Sequence, residues 1–366
     1  MAGIYFHVPF CRKKCSYCDF HFSTTFHSYR ERLLNTMLKE LQERLPELEE
    51  PVKTIYFGGG TPSLLSKNEL QNFLKILSNH NSVEEITLEV NPEDLTHENL
   101  SNWESLGINR LSIGIQTLNE TLLQWMNRNH TAQNVLTNLK LLENFSFNCS
   151  IDLIYGVPNQ TLQDLELMAA LTENTFIHHV SAYALTLEHK TLLAHTEKKY
   201  GAPLINEHQQ VDHYFEVQQR LIERGFEQYE VSNYARNKAY ALHNKNYWKG
   251  FPYLGIGPGA HSYDGKSIRR WNVTNNAQYI KQLDWFDTEE LTDENRWNEL
   301  WLTGLRTLEG VNLDAIERFG NLSTQENKEI EFLIKNDDLT YENNVYRLTK
   351  NGFLKADRIS SLLFRI

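Results

Sequence analysis

The chain has few cysteines, an excess of acidic over basic residues, and no long apolar run near its start. Only 4 of its 366 residues are Cys, too few for a disulfide framework and typical of a reducing compartment. The first residues lack a basic flank and a long apolar stretch, so we expect neither a secretory signal nor a membrane span. With 36 Lys and Arg against 47 Asp and Glu, the net charge is −11, which disfavours nonspecific nucleic-acid binding. We therefore expect a cytoplasmic protein without a nucleic-acid partner.

Three of the cysteines, Cys11, Cys15 and Cys18, lie in the single run Cys-Arg-Lys-Lys-Cys-Ser-Tyr-Cys. Three thiolates in one loop suit a cubane [4Fe–4S] cluster, whose irons ordinarily take four protein thiolates, and they leave one iron open for another ligand. A zinc site is the alternative, but zinc loops usually supply two short pairs of ligands. The remaining cysteine, Cys149, lies in an apolar strand-like run. The spacing therefore favours the cluster over zinc.

Short apolar segments alternate with longer amphipathic ones through the first half of the chain. The short segments are rich in Ile, Val, Leu and aromatic residues, which is typical of strands, and they span 3–8, 52–57, 85–90, 110–115, 149–155 and 180–185. Ser28 with Glu31, and Ser66 with Glu69, predict capping boxes at the starts of two intervening helices. This alternation predicts an α/β fold with a parallel sheet. The periodicity does not indicate whether the sheet closes.

Polar or glycine-rich motifs come directly after several of these segments. The cysteine loop follows the first strand, Gly58-Gly-Gly-Thr61 follows the second, Glu89 lies near the end of the third, and Gln116 ends the fourth. The carboxyl ends of parallel strands meet at one rim, where barrel folds place their chemistry. We therefore expect one site at this rim.

The cysteine spacing, followed by the aromatic Phe20, resembles the signature of the radical S-adenosylmethionine (SAM) superfamily. The runs Phe-Gly-Gly-Gly-Thr-Pro, Glu-Val-Asn-Pro-Glu, Leu-Ser-Ile-Gly-Ile-Gln and Ile-Asp-Leu-Ile-Tyr-Gly-Val-Pro are similar to the HemN/HemW branch over essentially the whole length. The resemblance implies a partial (β/α)6 barrel with a smaller, mainly helical, winged-helix-like C-terminal domain. It also implies that the open iron binds the amino and carboxylate groups of SAM, and that the cluster supplies the electron that cleaves SAM.

The resemblance assigns SAM-binding roles to residues that match the family motifs. It implies that two tyrosines flank SAM, that two glycines and a threonine receive its amino end, and that four polar residues hold its ribose, carboxylate and neighbouring groups. These residues are Tyr5 and Tyr17; Gly59, Gly60 and Thr61; and Glu89, Gln116, Arg128 and Asp152. Carboxylates can accept ribose hydroxyls, and an arginine can bind a carboxylate in a two-pronged manner. Ala184 and His261 match further SAM-contact positions more loosely.

Two departures separate the chain from the oxygen-independent coproporphyrinogen III dehydrogenases of this branch. Those enzymes carry a further cysteine where this chain has Phe20, and an N-terminal arm that is absent here. The combination resembles the HemW subgroup of haem-binding chaperones. The run His243-Asn-Lys-Asn-Tyr247-Trp248 is similar to a signature of that subgroup, in which the histidine is implicated in holding haem. Neutral imidazole commonly binds haem iron, and aromatic rings can cover a porphyrin face.

The leading interpretation is a haem chaperone on a radical SAM scaffold. Its cofactors and partners would be the [4Fe–4S] cluster, SAM, haem, a haem-acceptor protein, which could be membrane-associated, and a reducing electron donor. The alternative is an oxygen-independent coproporphyrinogen III oxidase that uses SAM radical chemistry. A zinc-stabilised α/β protein without a redox role is a third possibility.

We expect three regions along the chain. They are a radical SAM core with a helical extension at 1–236, a connecting segment with the haem motif and a glycine-rich stretch at 237–289, and the C-terminal domain at 290–366. Helices followed by two short strands predict a helix-and-wing arrangement in the last region. We favour a role in packing or substrate enclosure over DNA binding for this region, because none of its predicted helices carries a cluster of basic residues.

Two further segments of the chain have simpler interpretations. The glycine-rich run 253–263 is either a tight turn or a wall near SAM or haem. His208 and His213 are five residues apart, which does not match one helix face, so we expect both to be solvated.

Overall fold

The strand–helix alternation forms a parallel sheet in a computed structural model, which describes residues 1–78, 82–201, 203–281 and 286–365. The strands lie side by side in chain order, so each crossover returns the chain beside the strand it left. This is the wall of the predicted partial barrel, and the predicted fold class is confirmed. The strands are β1 (Ala2–Val8), β2 (Val52–Gly59), β3 (Glu85–Val90), β4 (Arg110–Gln116), β5 (Asn148–Tyr155) and β6 (Ile177–Ala184).

The connecting helices pack their apolar stripes against this sheet. They are α1 (Arg30–Arg44), α2 (Lys67–Ile76), α3 (His97–Ser105), α4 (Glu120–Trp125), α5 (Ala132–Leu139) and α6 (Leu162–Ala170). The capping box of Ser66 and Glu69 is confirmed. The one at Ser28 is wrong, because α1 begins at Arg30 without a side-chain cap. The Arg30 guanidinium instead donates to both carboxylate oxygens of Glu69 (2.8 and 2.7 Å), so a tertiary contact fixes this end of α1.

Further strands extend the sheet at both edges. Beyond β1 lie β9 (Tyr253–Ile256), β10 (His261–Tyr263), β11 (Ile268–Asn272) and β12 (Phe286–Glu290); beyond β6 lie β8 (Asn233–Ala235) and β7 (Glu227–Gln228). Strand β9 pairs parallel with β1, and β10 pairs antiparallel with β9. The glycine-rich run is therefore a strand pair in the wall. Within the described residues, the end strands β7 and β12 do not pair with each other, so the barrel stays open.

Helices α7 (Leu192–Tyr200), α8 (Glu207–Glu223), α9 (Leu242–Trp248) and α10 (Asn276–Lys281) accompany these edge strands. Helix α8 ends just before Gly225, which has φ +79°. The prediction that His213 is solvated is wrong. Its side chain is buried, and its Nδ1 accepts a hydrogen bond from the Gly156 amide (3.3 Å), because it lies beside the buried Tyr214 on the face that packs against the sheet.

The C-terminal region has the predicted helix-and-wing arrangement. It consists of α11 (Asp293–Leu305), α12 (Leu313–Glu317), α13 (Thr324–Lys335), α14 (Lys350–Phe353) and α15 (Ala356–Leu362), with β13 (Val311–Asn312), β14 (Leu339–Glu342) and β15 (Val345–Leu348). The strands pair in the order β13, β15, β14. Trp297 and Trp301 of α11 are fully buried and anchor the core of this region.

The boundaries at 236 and 290 stay a prediction, and residues 282–285 of the predicted connecting segment lie outside the described residues. Among the helices that the structure describes, none combines the length and apolar character that crossing a membrane requires.

Candidate functional site

The carboxyl ends of β1 to β6 open into a cavity of about 960 Å³. It brings together the three cysteines and every predicted SAM-binding residue except Tyr5, along with the more loosely matched Ala184. Tertiary structure thus collects positions that the sequence separates by up to 173 residues. The predicted residues that line it are Cys11, Cys15, Tyr17, Cys18, Gly59, Gly60, Thr61, Glu89, Gln116, Arg128, Asp152 and Ala184.

The cysteine loop follows β1, and donors contact two of its sulfur atoms. The Thr61 hydroxyl donates to Cys11 Sγ (3.5 Å), and Arg128 Nη1 donates to Cys15 Sγ (3.4 Å). Burial raises the pKa of the Cys11 thiol, and raises that of Cys18 to about 11. Iron binding would therefore displace protons from the loop. Hydrogen bonds to sulfur are typical of protein sites that hold and tune iron–sulfur clusters.

A zinc ion suits this loop less well than a cluster. The loop supplies three cysteines, one ligand fewer than the four that a structural zinc site takes. Three half-exposed thiols around an open cavity, with donors at their sulfur atoms, fit a cubane cluster with one free iron.

The glycine run after β2 forms a ledge of backbone beside this loop. Gly59 has φ +106°, and a Cβ there would lie 2.7 Å from the His7 ring. A Cβ on Gly60 would lie 2.7 Å from the Phe10 carbonyl oxygen, and the Gly60 amide donates to the carbonyl of Val8 (2.9 Å). Only glycine allows this close approach of two backbones. The ledge therefore places amide groups at the wall of the cavity.

Two carboxyl groups face the cavity from neighbouring strands. Glu89 accepts hydrogen bonds from the Tyr56 hydroxyl (2.8 Å) and the Gly59 amide (3.1 Å), and burial raises its pKa to about 7. Asp152 accepts from the Ser112 hydroxyl (3.1 Å), and burial raises its pKa to about 6. Buried carboxyl groups with raised pKa values concentrate at functional sites. Their oxygens can accept ribose hydroxyls or face a cationic ligand.

Arg128 ties the cysteine loop to the strand ends. Its Nη2 donates to Asn91 Oδ1 (2.7 Å) and to the Gly114 carbonyl (2.8 Å), while Nη1 reaches Cys15. Gln116 is buried with φ +70° where β4 and β5 shift register. Such a backbone is strained for a residue other than glycine and is typical of functional sites.

Sequence reasoning assigned no role to Asn91, Ser112 or Tyr56, which also line this cavity. A signal was present for Ser112. It precedes Gln116 by four residues, and in a strand such positions share one face, although the register shift between them weakens that rule here.

Family comparisons agree with this geometry. The profile described as Radical SAM superfamily matches residues 5–172, and that described as HemN C-terminal domain matches residues 291–354. The heme chaperone HemW of Bacillus subtilis is 34% identical, with 87% of each chain covered. The heme chaperone HemW of Haemophilus influenzae is 31% identical, covering 98% of this chain and 97% of that one. The chain belongs to the HemW family of radical SAM proteins.

Among solved structures, the coproporphyrinogen III oxidase HemN from Escherichia coli has a TM-score of 0.83 and 22% sequence identity, over 99% of this chain and 90% of that one. This similarity establishes the shared fold. Membership of the radical SAM superfamily implies a [4Fe–4S] cluster and SAM as cofactors, and the residues of the first cavity fit both groups.

This HemW-family chain has a second cavity of about 1060 Å³ between β9 to β11 and the C-terminal region. It adjoins the first cavity at Asp19 and Phe20, which line both. Tyr5 and His261 line the second cavity, so the structure places both predicted SAM contacts beside the first cavity rather than in it. Phe20 is 69% exposed and stands at the border between the two.

The residues of the haem motif lie on α9, in two different environments. Tyr247 and Trp248 line the second cavity. His243 is 2% exposed, with Nδ1 hydrogen-bonded to Thr54 Oγ1 (2.8 Å) and Nε2 to the Tyr247 hydroxyl (2.9 Å). Burial lowers the pKa of His243 to about 3, so its ring is neutral in the folded protein. Both ring nitrogens are thus occupied inside the barrel.

Proposed function

We propose that this protein is a haem chaperone, which binds haem and passes it to an acceptor protein. The observation that carries the proposal is the second cavity, which combines aromatic walls with cationic side chains and adjoins the cluster loop. Relatives named heme chaperone HemW, which align with 85–98% of this chain, support it. A haem acceptor and an electron donor are the partners that this function requires, and the cytoplasm is the compartment we propose for it.

The first cavity would hold the cofactors in this proposal. The three cysteines would hold the cluster, and the glycine ledge would receive the amino end of SAM. Glu89, Asp152, Gln116, Arg128 and Tyr17 would hold its remaining polar groups. When bound, the cluster supplies one-electron reduction of SAM. The surrounding residues would orient SAM and restrict water, because they close the cavity from the strand ends.

The second cavity would hold haem. Tyr247 and Trp248 would cover an apolar face of the porphyrin, and Tyr5 would stand between the two cavities. The motif-based prediction that His243 binds the iron stays a prediction. It requires that the ring leave Thr54 or that the Tyr247 hydroxyl move away, since both nitrogens are engaged.

Oxygen-independent coproporphyrinogen III oxidation is the second candidate function, favoured by the shared fold with HemN. Phe20 argues against it, because the family resemblance implies a further cysteine at this position in those enzymes.

Haem titration and a turnover assay separate the two functions. Protein reconstituted without air should give a Soret band that saturates at one haem per chain, and SAM should perturb the electron paramagnetic resonance signal of its reduced cluster. With a reductant, SAM and coproporphyrinogen III, it should form no protoporphyrinogen. If the protein instead forms protoporphyrinogen over multiple turnovers, the oxidase function replaces the chaperone proposal. Failure to bind haem at stoichiometric concentration would end the proposal.

A further inference from the structure

One histidine of the second cavity has an accessible ring with unoccupied nitrogens. His261 lies on β10, is exposed, and lines the cavity. Within the part of the chain that the structure describes, neither nitrogen of its ring has a hydrogen-bond partner. A neutral imidazole in this state can bind a metal without first breaking a bond.

The other histidines near this cavity each have at least one ring nitrogen in a hydrogen bond. His7 donates from Nε2 to the His21 carbonyl (2.8 Å), and its Nδ1 accepts from the Tyr5 hydroxyl (3.3 Å). His21 Nε2 is hydrogen-bonded to Asn276 Oδ1 (2.7 Å). His243 uses both nitrogens and does not line the cavity. His261 is thus the imidazole best placed for a ligand entering the cavity.

The neighbouring strand holds the His261 ring in place. His261 pairs with Trp271 across β10 and β11, and the two rings stack with centroids 5.8 Å apart and planes 22° apart. Stacking restricts the rotation of the imidazole and so reduces the entropy lost on binding.

The rest of the cavity suits a porphyrin that carries acidic groups. Its volume of about 1060 Å³ slightly exceeds the range of about 300–1,000 Å³ that is usual for small-molecule sites. The aromatic rings that line it include Phe20, Tyr247, Trp248 and Tyr253. Two arginines of the C-terminal region, Arg296 and Arg318, also line it, and among the described residues neither forms an ion pair. Guanidinium groups can bind carboxylates such as haem propionates in a two-pronged manner.

We propose that His261, rather than His243, is the axial iron ligand for haem bound in the second cavity. The inference rests on the proposed haem-chaperone function and names the ligand within it. The ring of His243 packs inside the barrel, where it hydrogen-bonds the Tyr247 hydroxyl and contacts the Tyr247 ring edge-on. The signature histidine would then shape the cavity wall, and His261 would bind the iron.

Spectra of haem complexes test this assignment in the full-length, cluster-loaded protein. The variants are His261→Ala, His261→Cys and His243→Gln, with His208→Ala as the matched control, because His208 is exposed and lines neither cavity. Haemin is titrated into each, and the Soret maximum and electron paramagnetic resonance of the complexes are recorded. Circular dichroism and the cluster absorption band confirm that each variant is folded.

We expect His261→Ala to weaken haemin binding on the order of tenfold and to shift the Soret band, with added imidazole restoring it. His261→Cys should give the spectrum of a thiolate-ligated haem, whereas His243→Gln and His208→Ala should keep the wild-type spectrum. An unchanged spectrum in His261→Ala and His261→Cys, or loss of ligation in folded His243→Gln alone, would overturn the assignment. If the wild-type protein binds no haem, the proposed function itself fails, a result distinct from these.

Discussion

At the scale of single residues, the first cavity is defined by buried charge. Glu89, Asp152 and Arg128 lie at the ends of different strands or loops, and each is held by hydrogen bonds to neutral groups. Burial weakens the ionised form of both carboxyl groups. A cationic ligand such as SAM would reverse this effect, since it compensates the negative charge.

SAM binding should therefore depend on pH through Glu89. Its pKa is about 7 in the folded protein against an ordinary value of 4.5. The affinity for SAM should therefore increase with pH, by up to about tenfold per unit as pH rises to 7, and level off above pH 7. Calorimetric titration of SAM into the cluster-loaded protein between pH 5.5 and 7.5 measures this. Glu89→Gln should flatten the profile between pH 6.5 and 7.5 and leave the part below, where Asp152 titrates with a pKa of about 6. An equally steep profile in that variant would show that another group controls binding.

The raised pKa of Glu89 also makes the stability of the SAM-free protein depend on pH. The native state keeps this proton to about pH 7, whereas the unfolded chain releases it near 4.5. The contribution of Glu89 to native stability is thus fully present below pH 4.5 and is lost as pH rises through 7.

Arg128→Lys should weaken SAM binding by about tenfold, because one ammonium group cannot contact Asn91, the Gly114 carbonyl and Cys15 together as the guanidinium does. The measurement is the SAM concentration that half-perturbs the cluster signal. Arg32→Lys is the control, since Arg32 is exposed on α1 outside both cavities. Equal affinity in both variants would contradict a positioning role for Arg128.

At the scale of secondary structure, α9 closes the barrel from below the cofactor site. Its first amides are held by the carboxylate of Glu85 at the start of β3, with the Leu242 amide at 3.1 Å and the His243 amide at 2.9 Å. The His243 ring lies against Tyr56, with centroids 5.1 Å apart. The helix is therefore fixed by its end and by one buried ring.

His243→Ala should lower the free energy of unfolding by about 2–4 kcal/mol, since it leaves a cavity and removes the partners of Thr54 and Tyr247. Urea denaturation of the protein measures this loss. His208→Ala should stay within about 0.5 kcal/mol of the wild type. If the two variants were equally stable, His243 would not support the barrel in the way described.

At the scale of the whole molecule, the C-terminal region closes both cavities. Arg306, Phe353 and Leu354 line the first cavity, while Arg296 and Arg318 line the second. Arg306 also joins this region to the barrel through Glu230, which is 1% exposed (Nη2 to Oε1, 3.2 Å). Substrate enclosure by this region stays a prediction, which these positions in the cavity walls support.

Arg306→Ala should cost about 3 kcal/mol of unfolding free energy, because it leaves the Glu230 carboxylate buried without its cation. Denaturation of the single variants and of Arg306→Ala with Glu230→Gln completes a double-mutant cycle. The double variant should recover part of the loss. Strict additivity would show that the two residues do not depend on each other. Lys39→Ala, from an exposed pair with Glu43, is the control and should have little effect.

The sequence alone determined the order of strands and helices, the cluster loop and most of the first cavity. It could do so because these features depend on local spacing and on a general property of parallel sheets, whose carboxyl ends meet at one rim. The capping box of Ser66 and Glu69 was predicted correctly for the same reason, since the two residues are three positions apart in the sequence.

Tertiary structure decided the second cavity and the state of the histidines. The sequence motif singled out His243, yet its ring is occupied by Thr54, 189 residues away in the chain. His261 gave a weaker sequence signal, but it lines the second cavity, the Trp271 ring of β11 stacks on its ring, and no described residue hydrogen-bonds its ring nitrogens. The start of α1 likewise follows from the contact of Arg30 with Glu69. Whether a side chain is buried, paired or free depends on residues distant in sequence, which periodicity and spacing do not specify.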